Sequence, residues 1–312
     1  MSIEKTGKVI KVMGLYYTVR SGDEIYNCTL RGRIRQDEEN KNITNPAAVG
    51  DIVEYTLQDD GTGVIESIHE RKNIFSRKEK GRNRKEDIIA ANCDLIVVMQ
   101  SFRQPALKLR FVDRVSVRGK MQGIPVITCI NKLDLASGHE RDSIHEYYKN
   151  SGNDIIFTSV MQNKGLDELY NYLEGKTSIL VGFSGVGKSS ILNNIFPGLD
   201  LRVKEVSNRT GKGRHTTTNV EMITADKKTA IIDTPGMREF GLMDMEPNEL
   251  GDYFYEYSGY SGECSFSPCT HDHEPGCRVK QMVEEGLISG DRHTSYLNIL
   301  HSLQEYYENM YS

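Results

Sequence analysis

A glycine-rich run near the middle of the chain has residue types and spacing suited to binding a chain of phosphates. Its residues, called the phosphate loop below, are Gly182, Phe183, Ser184, Gly185, Val186, Gly187, Lys188, Ser189 and Ser190. The glycines let successive backbone N–H groups approach a phosphate closely, at the positive end of the following helix. Lys188 would place its charge at the β and γ phosphates, and the Ser189 hydroxyl would ligate the bridging Mg²⁺. An apolar strand before the run and an apolar helical stripe after it favour this interpretation over an ordinary glycine-rich turn.

A second motif has the character of a guanine-recognition loop. Its residues are Asn131, Lys132, Leu133 and Asp134, directly after the apolar strand 126–130. At the end of a parallel strand, the Asp134 carboxylate can accept hydrogen bonds from N1–H and the exocyclic amine of guanine, a pair of donors that adenine lacks. Asn131 would hold the neighbouring loop, and the stem of Lys132 would lie across the purine. Thr158 and Ser159, after the next strand, suit a second base-contacting loop.

Two segments beyond the phosphate loop are suited to sensing a γ phosphate. Residues 211–218 are basic and rich in hydroxyls, and one of their threonines would ligate Mg²⁺; Thr217 is our prediction. After the apolar strand 229–232, Asp233 would hold the Mg²⁺ shell and the Gly236 N–H would sense the γ phosphate.

Met237 stands where many nucleotide hydrolases of this kind carry a glutamine that orients the attacking water. A thioether cannot orient water in that way, so we expect slow intrinsic hydrolysis. The missing group would come from elsewhere in the chain or from a partner. His215 is a candidate for it, although a loop histidine is more often only a solvated side chain.

The cysteines indicate a metal site rather than disulfides. Six cysteines in 312 residues are too few for a secreted disulfide scaffold, and three of them lie close together as Cys264, Cys269 and Cys277. With one imidazole they would form a closed tetrahedral site of the structural zinc type, with no open position for catalysis. By spacing alone, His271 and His273 are both candidates for the fourth ligand.

The first 70 residues predict a small β-barrel of the OB-fold type. Their short alternating segments are residues 8–12, 15–19, 25–30, 51–55 and 63–68. A nucleic-acid face could use Arg31, Arg33, Arg35, Tyr16 and Tyr17. Equally, these could be solvated strand residues on a barrel used only for protein contacts. Residues 71–85 carry eight Lys or Arg against the single Glu79 and lack strand or helix periodicity, which favours a basic linker that contacts a phosphate backbone.

From residue 94 onward, strands alternate with helices, as in an α/β domain with a parallel sheet. Two apolar helical stripes close the chain, the first with Val279, Met282, Val283 and Leu287, the second with Ile299, Leu303, Tyr306 and Met310. They are expected to pack on the cysteine cluster or on the sheet. No apolar run approaches the roughly 20 residues needed to cross a bilayer, and no signal-peptide pattern follows Met1, so we expect a cytoplasmic protein.

The order of the motifs resembles that of the circularly permuted GTPases, because the base motif precedes the phosphate loop. With the N-terminal barrel and the cysteine cluster, the chain is similar to the ribosome-small-subunit-dependent GTPase family. The resemblance implies an OB-fold, a circularly permuted P-loop GTPase domain and an α-helical zinc-binding module. It also implies GTP or GDP, Mg²⁺ and one structural Zn²⁺ as ligands, with His271 as the fourth zinc ligand.

The resemblance further implies late maturation of the small ribosomal subunit, with the subunit and its rRNA as partners and hydrolysis stimulated by the subunit. We expect a monomer without membrane association, divided into residues 1–70, 71–248 and 249–312. Two other functions remain open: an RNA-binding placeholder for which GTP is mainly a ligand, and a translation-regulating switch on mature subunits.

Overall fold

The computed structural model describes residues 4–36, 43–78, 85–199, 201, 220–234, 242 and 245–311. Its strands are β1 (Glu4–Met13), β2 (Tyr16–Ser21), β3 (Glu24–Leu30), β4 (Ile52–Leu57), β5 (Gly63–Ile68), β6 (Ile74–Lys78), β7 (Glu86–Ala91), β8 (Leu95–Ser101), β9 (Val126–Asn131), β10 (Asp154–Phe157), β11 (Thr177–Gly182), β12 (Glu221–Thr224) and β13 (Ala230–Asp233). Its α-helices are α1 (Gly32–Gln36), α2 (Leu109–Met121), α3 (Gly138–Tyr147), α4 (Leu166–Leu173), α5 (Lys188–Ile195), α6 (Arg278–Glu284) and α7 (Gly290–Tyr311).

The first five strands close into a barrel, as the sequence predicts. β1 pairs antiparallel with both β2 and β4, and β2 pairs with β3. An antiparallel β4–β5 pair and a parallel β3–β5 pair complete the ring. The confirmed architecture therefore joins an OB-like barrel to an α/β domain and a helical C-terminal part that carries the cysteine cluster.

Strand alternation separates the two neighbouring tyrosines that the sequence suggested for a nucleic-acid face. Tyr16 is 65% exposed, whereas Tyr17 is 1% exposed and lies in the barrel core. Tyr17 is therefore unavailable for stacking on a base. Arg31 donates to the Glu66 carboxylate, and an Arg33 guanidinium nitrogen lies 3.7 Å from the same carboxylate.

A parallel sheet in the order β10-β9-β8-β11-β13 carries the predicted nucleotide motifs at the carboxyl ends of its strands. Its central strand β8 is buried along its whole length, so alternate side chains point into two apolar cores. α2 and α3 cover one face together with the β6–β7 hairpin, and α4 and α5 cover the other.

The sheet continues from the α/β domain into the barrel. β12 pairs antiparallel with β13 on one side and with β1 on the other. The Lys11 ammonium lies 2.9 Å from the Glu221 carboxylate across this junction. Barrel and α/β domain thus share one hydrogen-bonded sheet.

The basic segment 71–85, interpreted from sequence as lacking strand periodicity, contains a strand. Residues of β6 pair antiparallel with β7, and Arg77 pairs with Asp87 at 3.1 Å. Residues 79–84 lie outside the described ranges. The sequence does not reveal this hairpin, because the segment is mostly positively charged and its only apolar pair is Ile74 and Phe75. Of these two residues, Phe75 is fully buried.

The C-terminal module (residues 245–311) packs its helices around a core of its own. Val279, Met282, Ile299 and Leu303 are buried there, as the helical stripes predict, whereas Leu287 lies beyond α6 and is 42% exposed. Among the described helices, none combines the length and the apolar character that crossing a membrane would require.

A buried ion pair holds the barrel to the linker, and its removal should loosen the barrel. The Asp51 carboxylate is fully buried and accepts two hydrogen bonds of 2.7 Å from the Arg71 guanidinium. We expect Asp51→Asn to lower the opening free energy of barrel amides, measured by native-state hydrogen exchange, by about 3–5 kcal/mol, because Arg71 loses a buried partner. The matched control Lys11→Met breaks an exposed pair and should cost less than about 1 kcal/mol. Equal costs for the two variants would contradict this interpretation.

Candidate functional site

The phosphate loop connects β11 to α5, at the side of the parallel sheet where the carboxyl ends of the strands lie. β11 lies beside β8, with Gly182 opposite Met99. A Cβ at Gly182 would lie 2.9 Å from the Met99 Cβ and closer still to its carbonyl oxygen, so the strands could not keep this spacing with any larger residue. The loop therefore starts from a backbone approach that glycine alone permits.

Gly187 connects the phosphate loop to the base motif. Its φ of 101° lies in the left-handed region, and a Cβ there would overlap the side-chain amide of Asn131. That amide, 4% exposed, donates to the Val186 carbonyl oxygen at 2.9 Å. The absence of a side chain at Gly187 thus makes room for the bond between two loops that are 55 residues apart.

The Lys188 ammonium is held inside the phosphate loop. It donates to the carbonyl oxygens of Gly182 at 2.8 Å and Phe183 at 3.3 Å. Burial lowers the pKa of Lys188, and the nearby Asp233 carboxylate opposes that shift. A desolvated ammonium with an acidic neighbour suits a phosphate-binding cation, because an incoming anion would restore the interactions that burial removes.

The acidic end of β13 lies beside the phosphate loop. Asp233 is the last residue of that strand and is opposite Leu180 of β11 in the parallel register. The next residue, Thr234, is buried, and its hydroxyl donates to the Leu180 carbonyl oxygen at 2.8 Å. Asp233 ends β13, and Ser189 lies in the first turn of α5, which follows the neighbouring strand β11. This placement is the one that shared contact with one Mg²⁺ would require.

The two base loops, residues 131–134 and 158–159, are bonded to each other. The Thr158 hydroxyl donates to the Asn131 side-chain oxygen at 3.2 Å, and the Ser159 hydroxyl donates to the Asp134 carboxylate at 2.5 Å. The Leu133 N–H donates to the Thr158 carbonyl oxygen at 3.0 Å. These bonds fix the orientation of the Asp134 carboxylate.

Lys132 is in the left-handed region with φ of 60°, and its ammonium donates to the Gln104 carbonyl oxygen. Burial lowers the pKa of Lys132, which fits a side chain whose aliphatic stem is partly covered. Its position next to Asp134 is compatible with a stem lying along a base.

The predicted γ-phosphate sensors lie largely outside the described residues. This holds for residues 211–218 with His215 and Thr217, and for Gly236 and Met237. Their proposed contacts with Mg²⁺, phosphate and water therefore stay predictions. Of the second sensor, Asp233 and Thr234 are described.

Sequence reasoning missed the support beneath the phosphate loop. The ring of Phe183 packs on Phe111 of α2 with 4.8 Å between centroids, and the Lys108 ammonium lies 4.6 Å from the centre of the same ring. The Lys108 N–H donates to the side-chain oxygen of Gln100, at the end of β8, at 3.2 Å. Phe183 itself was the available signal, since a large apolar side chain in a glycine-rich loop needs a partner to pack against.

Four side chains of the C-terminal module converge as metal ligands do. The ligand atoms of Cys264, Cys269, His271 and Cys277 all lie within 4.8 Å of one another. The His271 Nδ1 atom is 3.4 Å from the Cys277 sulfur. Because the side chain of His273 is 79% exposed and is not in this group, the geometry favours His271.

The loop that carries the cluster is ordered by Glu274. Its carboxylate accepts from the Thr270 N–H and hydroxyl, both at 2.6 Å, and from the Asp272 N–H at 3.1 Å. Burial lowers the pKa of His271, which favours the neutral imidazole that metal binding requires. Three sulfurs and one nitrogen at these separations fit a tetrahedral ion with bonds of about 2.0–2.3 Å.

Comparison with known proteins agrees with this arrangement over nearly the whole chain. Residues 68–243 match the family model described as RsgA GTPase, and residues 6–65 match the one described as RsgA N-terminal domain. A Bacteroides thetaiotaomicron protein named small ribosomal subunit biogenesis GTPase RsgA 2 is 38% identical over 303 residues, covering 96% of this chain and 97% of its own. The Phocaeicola vulgatus protein named small ribosomal subunit biogenesis GTPase RsgA is 39% identical over the same length, with the same coverage of both chains.

Two solved structures share the fold. YjeQ from Thermotoga maritima superposes with a TM-score of 0.75 at 32% identity, covering 97% of this chain and 99% of the other. YloQ, described as a circularly permuted GTPase, superposes with a TM-score of 0.68 at 31% identity, covering 97% and 96%. On both sequence and structure, this chain belongs to the RsgA family of GTPases.

Proposed function

We propose that this chain hydrolyses GTP during biogenesis of the small ribosomal subunit. The observation that carries the nucleotide part is the Asn131 amide, which bonds to both Val186 and Thr158 and so joins the phosphate loop and the two base loops into one site. The biological role rests on relatives named as small ribosomal subunit biogenesis GTPases.

Guanine would be held by Asp134 and the purine faces by neighbouring side chains. After accepting the Ser159 bond, the Asp134 carboxylate keeps acceptor capacity for the two guanine donors. The Lys132 stem would lie on the base. Selectivity for guanine follows because an adenine base would leave this carboxylate without a matching pair of donors.

The phosphates would lie against the backbone N–H groups of residues 182–190, with the Lys188 ammonium as counter-charge. Ser189 and Thr217 would ligate Mg²⁺, and Asp233 would hold its outer shell. When bound, the ion would neutralise charge that develops on the phosphates. Gly236 would sense the γ phosphate, and His215 is the proposed candidate for orienting water in place of Met237.

The cysteine cluster would hold one structural Zn²⁺. Its three thiolates and one imidazole leave no position open for substrate, and cytosolic chains rarely use clustered cysteines as disulfides. We assign the metal a role in stabilising the loop of residues 264–277, which has few apolar side chains of its own to fold around.

The proposed partners are the small ribosomal subunit and its rRNA, with the barrel and the basic hairpin as contact surfaces, in the cytoplasm. We propose the three parts 1–70, 71–248 and 249–312 as functional units of a monomer. Slow hydrolysis in the free protein follows from Met237, so the subunit is expected to stimulate turnover.

The first test is GTP turnover by the purified protein alone and with small subunits, large subunits or free RNA. We expect stimulation by small subunits only, and loss of both basal and stimulated turnover in Lys188→Ala. If GTP binds but no addition raises a negligible rate, the protein is an RNA-binding placeholder with GTP as a ligand. Normal turnover by Lys188→Ala would refute the assignment of the site.

A pair of glycine variants tests the phosphate loop directly. Gly187→Ala should weaken binding of a fluorescent GDP analogue about ten- to a hundredfold, because the left-handed φ strains the new residue by about 1–3 kcal/mol. Its Cβ would also displace Asn131. Gly198→Ala is the control, since no atom lies within 4 Å of a Cβ built there. Equal affinity of both variants would contradict the role of the Asn131 bond.

A pair of histidine variants tests the metal site. His271→Ala should lose the bound metal and lower the melting temperature of the protein, because one of four ligands is removed. His273→Ala should keep one metal ion per chain. Metal content is measured by elemental analysis of the purified chains, and retention of a full equivalent by His271→Ala would exclude this ligand set.

A further inference from the structure

A buried charged cluster, called the joint below, connects the α/β domain to the C-terminal module. Its centre is Asp113 of α2, which is fully buried. The Asp113 carboxylate accepts from the Arg292 guanidinium, from the Ser295 hydroxyl at 2.5 Å, and from the hydroxyls of Tyr147 at 2.6 Å and Tyr148 at 3.0 Å. Donors from α3 and α7 therefore meet on a single carboxylate of α2.

Arg292 has contacts on every side of its guanidinium. It is 1% exposed, it donates from Nε to the Glu256 carboxylate at 2.7 Å, and it lies over the Phe254 ring at 4.5 Å. A second cation, the Lys120 ammonium of α2, donates to the Tyr253 carbonyl oxygen at 2.9 Å. Two carboxylates and two cations thus lie together at the interface between module and α/β domain.

Such a cluster is a costly way to hold two parts together. Burying charges costs several kcal/mol per ion, and apolar side chains of similar volume often stabilise as well or better. An apolar interface already exists here, since Val117 of α2 packs in the core of the module. The joint additionally fixes the orientation of α2, because its directional hydrogen bonds restrict both the angle between α2 and α7 and the position of one helix along the other.

The same helix supports the phosphate loop. Phe111, in the first turn of α2, packs on Phe183 with 4.8 Å between ring centroids, and Lys108 lies on the same ring. Asp113 is two residues further along, a rise of about 3 Å on the helix axis. A shift of α2 at the joint would consequently move the surface on which Phe183 rests.

We propose that Arg292 is a positioning residue for the phosphate loop: through Asp113 it fixes α2, and through Phe111 it fixes Phe183 and the backbone N–H groups beside it. The inference rests on the proposed function only in taking this loop as the nucleotide site. The C-terminal module then contributes to nucleotide affinity, although none of its residues lies in the phosphate loop. A partner that displaces the module from α2 would alter nucleotide affinity.

Two tyrosine variants of the full-length, metal-loaded chain test the proposal. Tyr148→Phe removes one hydrogen bond from Asp113. Tyr257→Phe is the matched control, because it removes a buried hydroxyl of the same module that bonds to His293 at 2.7 Å and does not touch α2 by that bond. Two properties are measured: amide exchange of residues 180–195 in nucleotide-free protein, and the Kd of a fluorescent GDP analogue.

We expect Tyr148→Phe to accelerate exchange in that segment and to raise the Kd, each by roughly three- to tenfold, which lies within the range of couplings carried through packed networks. Tyr257→Phe should change neither. Arg292→Met should act in the same direction more strongly, and if it fails to fold, Tyr148→Phe decides. Unchanged exchange and Kd in Tyr148→Phe, or equal changes in Tyr257→Phe, would overturn the proposal.

A double-mutant cycle tests the route through Phe111. Phe111→Leu and Tyr148→Phe should be non-additive in Kd, with the double variant within about twofold of the weaker-binding single variant, because both loosen one contact chain. Independent, multiplicative effects would overturn the route. If the wild-type chain binds no guanine nucleotide, the proposed function fails, whereas the exchange measurement still decides whether the joint orders the loop.

Discussion

The site depends on one buried amide, the side chain of Asn131. Its nitrogen donates to the phosphate loop and its oxygen accepts from Thr158, so three strand ends are tied at one point. The tie requires two glycines: Gly182 lets β11 lie against β8, and Gly187 leaves room for the amide itself. All of these groups lie at the carboxyl ends of parallel strands, where ligands of open α/β sheets bind. This geometry requires that the strands be neighbours in the sheet, but it does not depend on their order along the chain.

Circular permutation uses that freedom to bring the C-terminal stretch of the α/β domain into contact with two other parts of the protein. β12, which follows the first predicted γ-phosphate sensor, pairs with β1 of the barrel. Beyond β13 and the second sensor, the chain continues into the C-terminal module, which packs on α2 through Val117. Each predicted sensor is thus followed directly by a contact with another part of the protein. A change in the first segment has a short physical route to the barrel, which is one of the surfaces proposed for the ribosomal subunit.

The sequence was most informative where the residues that act together are close to one another along the chain. The phosphate loop, the base motif and the cysteine cluster are short runs with fixed spacing, and the barrel follows from alternation. It was least informative where a feature depends on distant partners. Asp113 and Arg292 are 179 residues apart, and charged residues at such positions usually indicate solvent. By contrast, the Ser137–Glu140 capping box, which begins α3, is a local signal that can be recognised from sequence. To predict that Tyr17 is buried, one must know which of Tyr16 and Tyr17 points into the barrel. The sequence leaves this open because both neighbours are aromatic.

The C-terminal module contains two kinds of constraint that act at different levels. The four-ligand cluster acts within the module, because its side chains all come from the loop and turn between residues 264 and 277. The charged joint acts between the module and the α/β domain, because Asp113 receives donors from α7 and α3 together. A metal ion would order the loop of residues 264–277 within the module, yet that order alone would leave the orientation of the module to apolar contacts, which are weakly directional. Directional bonds to a buried carboxylate supply that orientation. A helix packed between the sheet and the module then relates the position of the module to the surface beneath the phosphate loop.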